Sequence, residues 1–299
     1  MDFIGIIELG SIFSIFLLGM IFSFRFLGFT DLTIEGSFVI GGAIFAISNS
    51  VGLNPFLSLF LSTIGGCLSG LITALLHCYV GINKLLSGII TFTILYSVNM
   101  RIMGLNNIDL QKGRSHLPIN NTDLLNIYSS PWFEPILLLS LSIFVFFTLR
   151  WLLATNFGLY LRATGGNELF VKRLNQNTKK IIIIGLIISN GIISIAGCLF
   201  SQTIGASDIN QGQGMLVLML TALIIGENLI RPYSISRQLL SAFAGAFVFD
   251  IIYSFAIYEK GVDPIDLKLM IGSLFIFFVI LTKLTQRGRV DKSIGCDFF

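Results

Sequence analysis

No charged residue stands between Lys180 and Asp208, and only Glu8 interrupts the apolar run from Phe3 to Phe24. Runs of this kind are tolerated where the solvent is hydrocarbon, since a helix crossing a ~30 Å bilayer core needs about 20 predominantly apolar residues. Of the 299 residues 12% are charged, about half the ~25% of a soluble domain, and the mean hydropathy is +0.87. The chain therefore reads as an all-α, polytopic membrane bundle.

Apolar stretches and their punctuation predict nine spans, at 3–24, 37–51, 55–80, 85–103, 133–154, 180–203, 215–230, 237–257 and 267–284. The second and seventh are short. Nine spans leave room only for short loops, so one transmembrane domain covers 1–299 and no nucleotide-hydrolysing or receptor module fits. The opening M-D-F-I-G-I-I-E lacks a basic n-region, so the first stretch is expected to be a retained span.

Orientation follows from Lys and Arg. The loop 155–180 carries Arg162, Lys172, Arg173, Lys179 and Lys180, and the tail 285–299 carries Arg287, Arg289 and Lys292, with Lys283 just before it. Both are expected to be cytoplasmic. Of the 19 basic residues, only Arg101, Lys112, Arg114, Lys260 and Lys268 then lie outside. The N-terminus is outside too, as is the loop 104–132, for which a short helix or irregular cap is expected. The bias reflects topology rather than nucleic-acid binding, because no basic run is interleaved with aromatics.

Asp31 opens D-L-T-I-E-G-S before the second span, and 177 residues on, Asp208 opens D-I-N-Q-G-Q-G before the seventh. Gly66 and Gly245, and the Gly81 and Gly261 segments, keep nearly that offset. The two halves, about 3–103 and 180–284, would be inverted about the membrane plane, with 133–154 as connector. Inverted repeats with short or broken helices recur in transporters. Chance alignment of common Gly and Asp starts is the alternative.

Ionisable groups at membrane depth cost about 2.5–3.5 kcal/mol on insertion scales and need a partner, water or a role. Asp31 and Glu35 are four apart and would share a face if that segment is helical. With Thr33 and Ser37 they form either an interfacial cap helped by Arg25 or the lining of an inner gate. Gln202, Asp208, Asn210 and Gln213 form either an outer vestibule or an ordinary external loop. Asn99, Asn190 and Asp250 lie within spans and are placed to hydrogen-bond between helices, with packing the expected role of Asn190, and Glu227 is placed for a structural ion pair near Arg231. Gly66 and Gly70, like Ser241 and Gly245, have the small-x-x-x-small spacing of close helix contacts.

Phosphate-loop, zinc-helix and nucleophile-elbow motifs are absent, and Cys67, Cys78, Cys198 and Cys296 have neither metal-site nor disulfide-framework spacing. Catalysis, bound metal and bound cofactor are not expected of this chain. A transport component or channel is.

Within the cytoplasmic loop, Leu169, Phe170, Val171 and Leu174 predict a short amphipathic helix after a Gly165-Gly166 turn, with Asn167 as its N-cap. An exposed apolar stripe there serves a docked partner or lies on lipid. The loop's R-A-T-G-G-N-E and L-N-Q-N-T-K-K resemble the coupling loop of permease subunits from the branched-chain amino-acid and sugar class of bacterial ATP-binding-cassette (ABC) importers. L-G-F-T-D-L-T-I-E-G-S-F at Leu27, G-I-N-K-L-L-S-G-I at Gly81, L-Y-S-V-N-M-R-I-M-G at Leu95, I-I-G-E at Ile224 and D-P-I-D-L-K-L at Asp263 extend the likeness along nearly the whole chain. The chain departs from that pattern at Q-T-I-G-A-S-D, where an aromatic is usual near Gly205, and at L-N-Q-N-T, where a Gly is usual.

The resemblance implies a bacterial inner-membrane permease for branched-chain or aromatic amino acids. It also implies a second permease copy or homologue, separate ATPase subunits that carry the ATP-Mg, and an extracytoplasmic substrate-binding protein. Contact with the ATPase falls to Arg162, Gly165, Asn167, Glu168, Leu169, Phe170, Lys172, Arg173 and Leu174. An ion-coupled secondary transporter is the alternative that the repeat alone equally supports.

Overall fold

The computed structural model describes residues 3–110 and 132–258, with helical positions at 272, 273, 276 and 280. The ninth predicted span, the tail 285–299 and residues 111–131 of the long loop lie wholly or largely outside the described residues. So do Asp263, Lys268 and Cys296.

Helix α1 (Phe3–Ile21) ends in a wider, π-helical turn at Phe22–Phe26 and leads to α2 (Thr33–Ser50). Helix α3 (Pro55–Leu75) starts where the Asn54 side chain accepts from Phe56 N–H with Pro55 at the first helical position, a start that uses no missing amide. It too ends in a π-helical turn, Leu76–Val80, and Asn83 caps α4 (Lys84–Met103). After strand β1 (Asn107–Asp109) come α5 (Phe133–Ala154), α6 (Asn156–Gly166), α7 (Glu168–Arg173), α8 (Thr178–Ile204), strand β2 (Ala206–Asp208), α9 (Met215–Leu229) and α10 (Ile235–Tyr258).

Six described helical segments are long and apolar enough to cross a membrane: Phe3–Phe26, Pro55–Val80, Lys84–Met103, Phe133–Ala154, Thr178–Ile204 and Ile235–Phe255. The second and seventh predicted spans are α2, of 18 residues, and α9, of 15. At 1.5 Å per residue these are about 27 and 22 Å long. Helix α2 is buried along most of its length, so its many Gly and Ser residues face other helices and need not satisfy lipid. It begins one turn before the predicted residue 37, because Asp31 Oδ1 accepts from Thr33 N–H and satisfies a first-turn amide.

Helix α8 forms the centre of the bundle, packed on α1, α2 and α3, while α10 packs on α1 and α9. The small-residue pairs act within the chain. On α3, Gly66 lies against the Asn190 carbonyl and Gly70 against the Leu186 carbonyl of α8, and Gly197 of α8 meets the Phe38 carbonyl of α2. On α10, Gly245 meets the Ala222 carbonyl of α9. Phe13, Phe16, Phe38, Phe200 and Phe249 fill the space beside these contacts, with ring centroids 5.4–6.3 Å apart. Edge-to-face pairs such as Phe16–Phe38 add a favourable quadrupole contact to the packing.

The loop 104–132 opens with a strand, and the short helix or irregular cap expected of it falls largely on residues 111–131, outside the described residues. Strands β1 and β2 pair antiparallel with Asn107 opposite Asp208, which ties the α4 exit to the α8 exit. At the other end of the bundle, Arg25 makes a two-pronged bond to Glu227, Nε–Oε1 2.9 Å and Nη2–Oε2 2.5 Å. The ion pair expected near Glu227 is therefore made with Arg25, in the π-helical turn after α1, and not with Arg231. This pairing also removes Arg25 as a helper of Asp31.

Candidate functional site

Asn190 lies halfway along α8 and gathers a polar cluster inside the bundle. Its Nδ2 donates to Asp31 Oδ2 at 2.7 Å and to the Leu186 carbonyl at 3.0 Å, while its Oδ1 accepts from Ser37 Oγ at 2.6 Å. Three of its four hydrogen-bonding positions are used, so its role goes beyond packing. The Ser37 and Ser69 hydroxyls are 2.5 Å apart, and those of Thr33 and Thr73 2.6 Å. Asp31 is fully buried. Among the described residues no cation pairs with it.

Asp31 and Glu35 do not share a helix face, because Asp31 precedes the first turn of α2. Glu35 instead reaches α9, where its Oε1 accepts from Gly214 N–H at 3.1 Å and Leu216 N–H at 3.2 Å. A carboxylate placed there satisfies orphan amides and opposes the positive end of the helix dipole. Gly212 packs on the Glu35 carbonyl. The segments 31–37 and 208–214, expected on opposite membrane faces, thus meet inside the bundle. Each unwound stretch runs inward from its own end, and the two short helices start beside one another.

The two segments also share a turn. Asp31 Oδ1 accepts from the amide two residues on, and Asp208 Oδ1 accepts from Asn210 N–H at 2.7 Å. Gln213 Nε2 donates to Asn210 Oδ1 at 3.1 Å, so Asp208, Asn210 and Gln213 brace the irregular stretch before α9. Gln202 stands apart from them, in an apolar crevice of about 390 Å³ beside Phe56, Leu137 and Leu141. Ser69 and Thr73 were not singled out from the sequence. Their signal is the stripe of small polar residues at helical spacing along α3: Ser58, Ser62, Ser69 and Thr73, all buried.

In the predicted cytoplasmic loop 155–180 the chain forms two helices. Gly165 and Gly166 end α6 instead of making a turn, and the break falls at Asn167, whose side chain accepts from Phe170 N–H at 3.1 Å and caps α7. Leu169 is 68% and Phe170 54% exposed, and Leu174 is exposed beside them, whereas Val171 is fully buried. Lys172 pairs with Glu168 at 2.7 Å and Thr178 Oγ1 donates to the same carboxylate at 3.2 Å. Chiefly because of the Lys172 bond, the Glu168 carboxyl is held below its ordinary value. Arg162 turns away from this face, donating through Nε to the Gly158 carbonyl at 3.2 Å. Gly165 lies against the backbone of Phe26 and Leu27, and its carbonyl faces Gly28, which adopts a left-handed φ of 61°. A side chain at either glycine would separate α6 from the strand of chain that enters α2.

The family described as branched-chain amino acid transport system / permease component matches residues 3–281. A tyrosine transport system permease protein of Clostridioides difficile (strain R20291) is 34% identical over 276 residues, covering 92% of this chain and 90% of that protein. An uncharacterized protein of Rickettsia prowazekii (strain Madrid E) is 34% identical over 274 residues, covering 90% of this chain and 93% of its own length. No solved structure matches the chain.

Proposed function

Since the chain belongs to the branched-chain amino acid transport system permease family, we propose that it is the membrane-spanning permease subunit of an ATP-driven importer in the bacterial inner membrane. Its cargo is a small solute, an amino acid of the branched-chain or aromatic class; the relative named for tyrosine transport supports the aromatic member of that pair. The observation that carries the reading is α7, a capped helix whose Leu169 and Phe170 face outward at an end rich in Arg and Lys. An apolar patch of that kind marks a docking surface.

In this reading Gly165, Asn167 and Glu168 shape the docking turn, Leu169, Phe170 and Leu174 enter a groove on the ATPase, and Lys172 and Arg173 flank it. ATP and Mg belong to that separate subunit, and this chain binds no cofactor. The α7 end and the C-terminus are cytoplasmic, the N-terminus and the β1–β2 end are outside, and an extracytoplasmic binding protein delivers cargo there. A second permease copy or homologue completes the path. Helices α1–α4 and the segment from α8 onward form the inverted repeats. Asp31, Thr33, Glu35 and Ser37, together with Asp208, Asn210 and Gln213, border the route where the two short helices meet, with Gln202 at its outer approach.

Uptake of labelled tyrosine and leucine into vesicles holding the chain, its ATPase and its binding protein tests the proposal. Uptake should require ATP and all three components. Uptake driven by an ion gradient with the permease alone would instead identify a secondary transporter, a reading for which the buried, cation-free Asp31 is the specific observation.

A further inference from the structure

Between the π-helical turn that follows α1, the middle of α6 and the start of α10 lies an open cleft of about 500 Å³, lined by Arg25, Arg162, Tyr233, Ser234 and Gln238. We propose that this cleft binds the phosphate of an anionic phospholipid headgroup, a role independent of which solute the chain moves.

Three observations carry the assignment. First, the cleft presents two guanidinium groups with donors still free. Arg25 commits Nε and Nη2 to Glu227, and Arg162 commits Nε to the Gly158 carbonyl and Nη2 to the Leu153 carbonyl. The remaining Nη1 groups suit phosphate oxygens as single charge-assisted donors, one from each arginine. Arg231 and Arg237, next to the cleft in sequence, add positive charge that Glu227 offsets only in part.

Second, the cleft lies at headgroup depth. Helix α5 is bracketed by Trp132, 48% exposed, and Trp151, 70% exposed, about 28 Å apart along the axis. That separation matches a ~30 Å hydrocarbon core with one indole at each interface. Arg162 reaches the carbonyl of Leu153, two residues from Trp151, so its guanidinium shares the depth of that interface.

Third, the surroundings distinguish a lipid from a free ion. Phe144, Phe147 and Trp151 give α5 an exposed apolar face below the same interface, which suits acyl chains. Tyr233 is exposed at the mouth, with Arg231 Nη1 donating to its hydroxyl at 3.4 Å. Such an amphipathic ring is at home among headgroups.

The chain has 2 Trp, so W132F leaves Trp151 as the single fluorescent reporter. In vesicles of equal acyl composition, brominated phosphatidylglycerol should quench Trp151 more strongly than brominated phosphatidylcholine. R162Q should reduce the preference for the anionic lipid by about fivefold, the weight of one basic residue at a membrane surface. E227Q should increase it by freeing Arg25, which separates loss of the site from loss of the fold. Inorganic phosphate at millimolar concentration should leave the preference intact. Equal quenching by the two lipids, a preference unchanged in R162Q, a preference lowered in E227Q, or displacement by inorganic phosphate would each overturn the proposal.

Discussion

Asn190 on α8 donates to Asp31 Oδ2 at 2.7 Å across 159 residues of sequence, joining the centre of one half of the chain to the entry of the other half's short helix. Both groups are fully buried, so each needs the other: an unsatisfied buried polar group costs about 1–3 kcal/mol, more when charged. Asn190→Leu should lower the unfolding free energy by an amount in or above that range, read as a lower thermal unfolding midpoint. Adding Asp31→Asn to it should recover part of the loss. Simple additivity in this double-mutant cycle would show that the bond contributes little.

Glu35 should behave as the cap of α9. Glu35→Ala leaves Gly214 and Leu216 N–H groups without an acceptor and should cost about 1 kcal/mol. Glu35→Gln keeps a carbonyl acceptor and should cost less. Amide exchange at residues 214–218 is the local readout, and exchange equal in all three proteins would mean that α9 is held by its packing alone.

Gly197→Ala places a methyl group on the Phe38 carbonyl. Backbone cannot yield as a side chain can, so α2 and α8 must separate, at a cost typical of overpacking, about 1–3 kcal/mol. The same substitution at Gly5, in α1 with nothing within 4 Å, is the control and should leave the unfolding midpoint unchanged or slightly raised, because Ala is the better helix former.

Charges at the outward face of α7 should uncouple ATP hydrolysis from uptake. Leu169→Asp with Leu174→Asp would bury unpaired carboxylates in the ATPase groove and weaken docking by roughly 2 kcal/mol or more, over tenfold. The spans should stay folded, since both side chains are exposed. Normal recruitment and uptake in the double variant would give α7 another task.

Acid should loosen the Glu168 contacts. The carboxyl is held below its ordinary value by Lys172 and Thr178, so its contribution is complete above the usual Glu range of about 4.3 and is lost as pH falls through the lowered folded value. A spin label at position 169 should gain mobility over that acidic window, and in Glu168→Gln its mobility should not follow pH there. A transition centred at neutral pH in the parent protein would exclude Glu168 as the titrating group.

Much of this was legible in the sequence because lipid imposes coarse rules. Length and apolarity located the six described segments long and apolar enough to cross a membrane, and the short helices α2 and α9 between them, and Asn167 announced the α7 cap through its side-chain chemistry. The 177-residue offset marked Asp31 and Asp208, which share the same two-residue turn. What could not be read is where helices begin in depth. Glu35 was placed on the face opposite Gly214, because topology drawn as full crossings cannot show two unwound stretches entering from opposite ends. Nor does Asn190 reveal its partner, since burial and hydrogen bonding across 159 residues depend on how α8 is surrounded. Gly165 misled for a related reason: a glycine pair reads as a turn, yet here its bareness serves a backbone contact with Leu27 and Gly28.

That contact has a mechanical meaning. Gly165 rests on the backbone at Phe26–Gly28, and Asp31 follows only three residues after Gly28. With no side chain between the two stretches, there is nothing compressible to absorb a displacement. In the docking reading proposed above, a displacement of α6, the helix that leads into α7, would meet the root of α2 backbone to backbone, with no side chain in between.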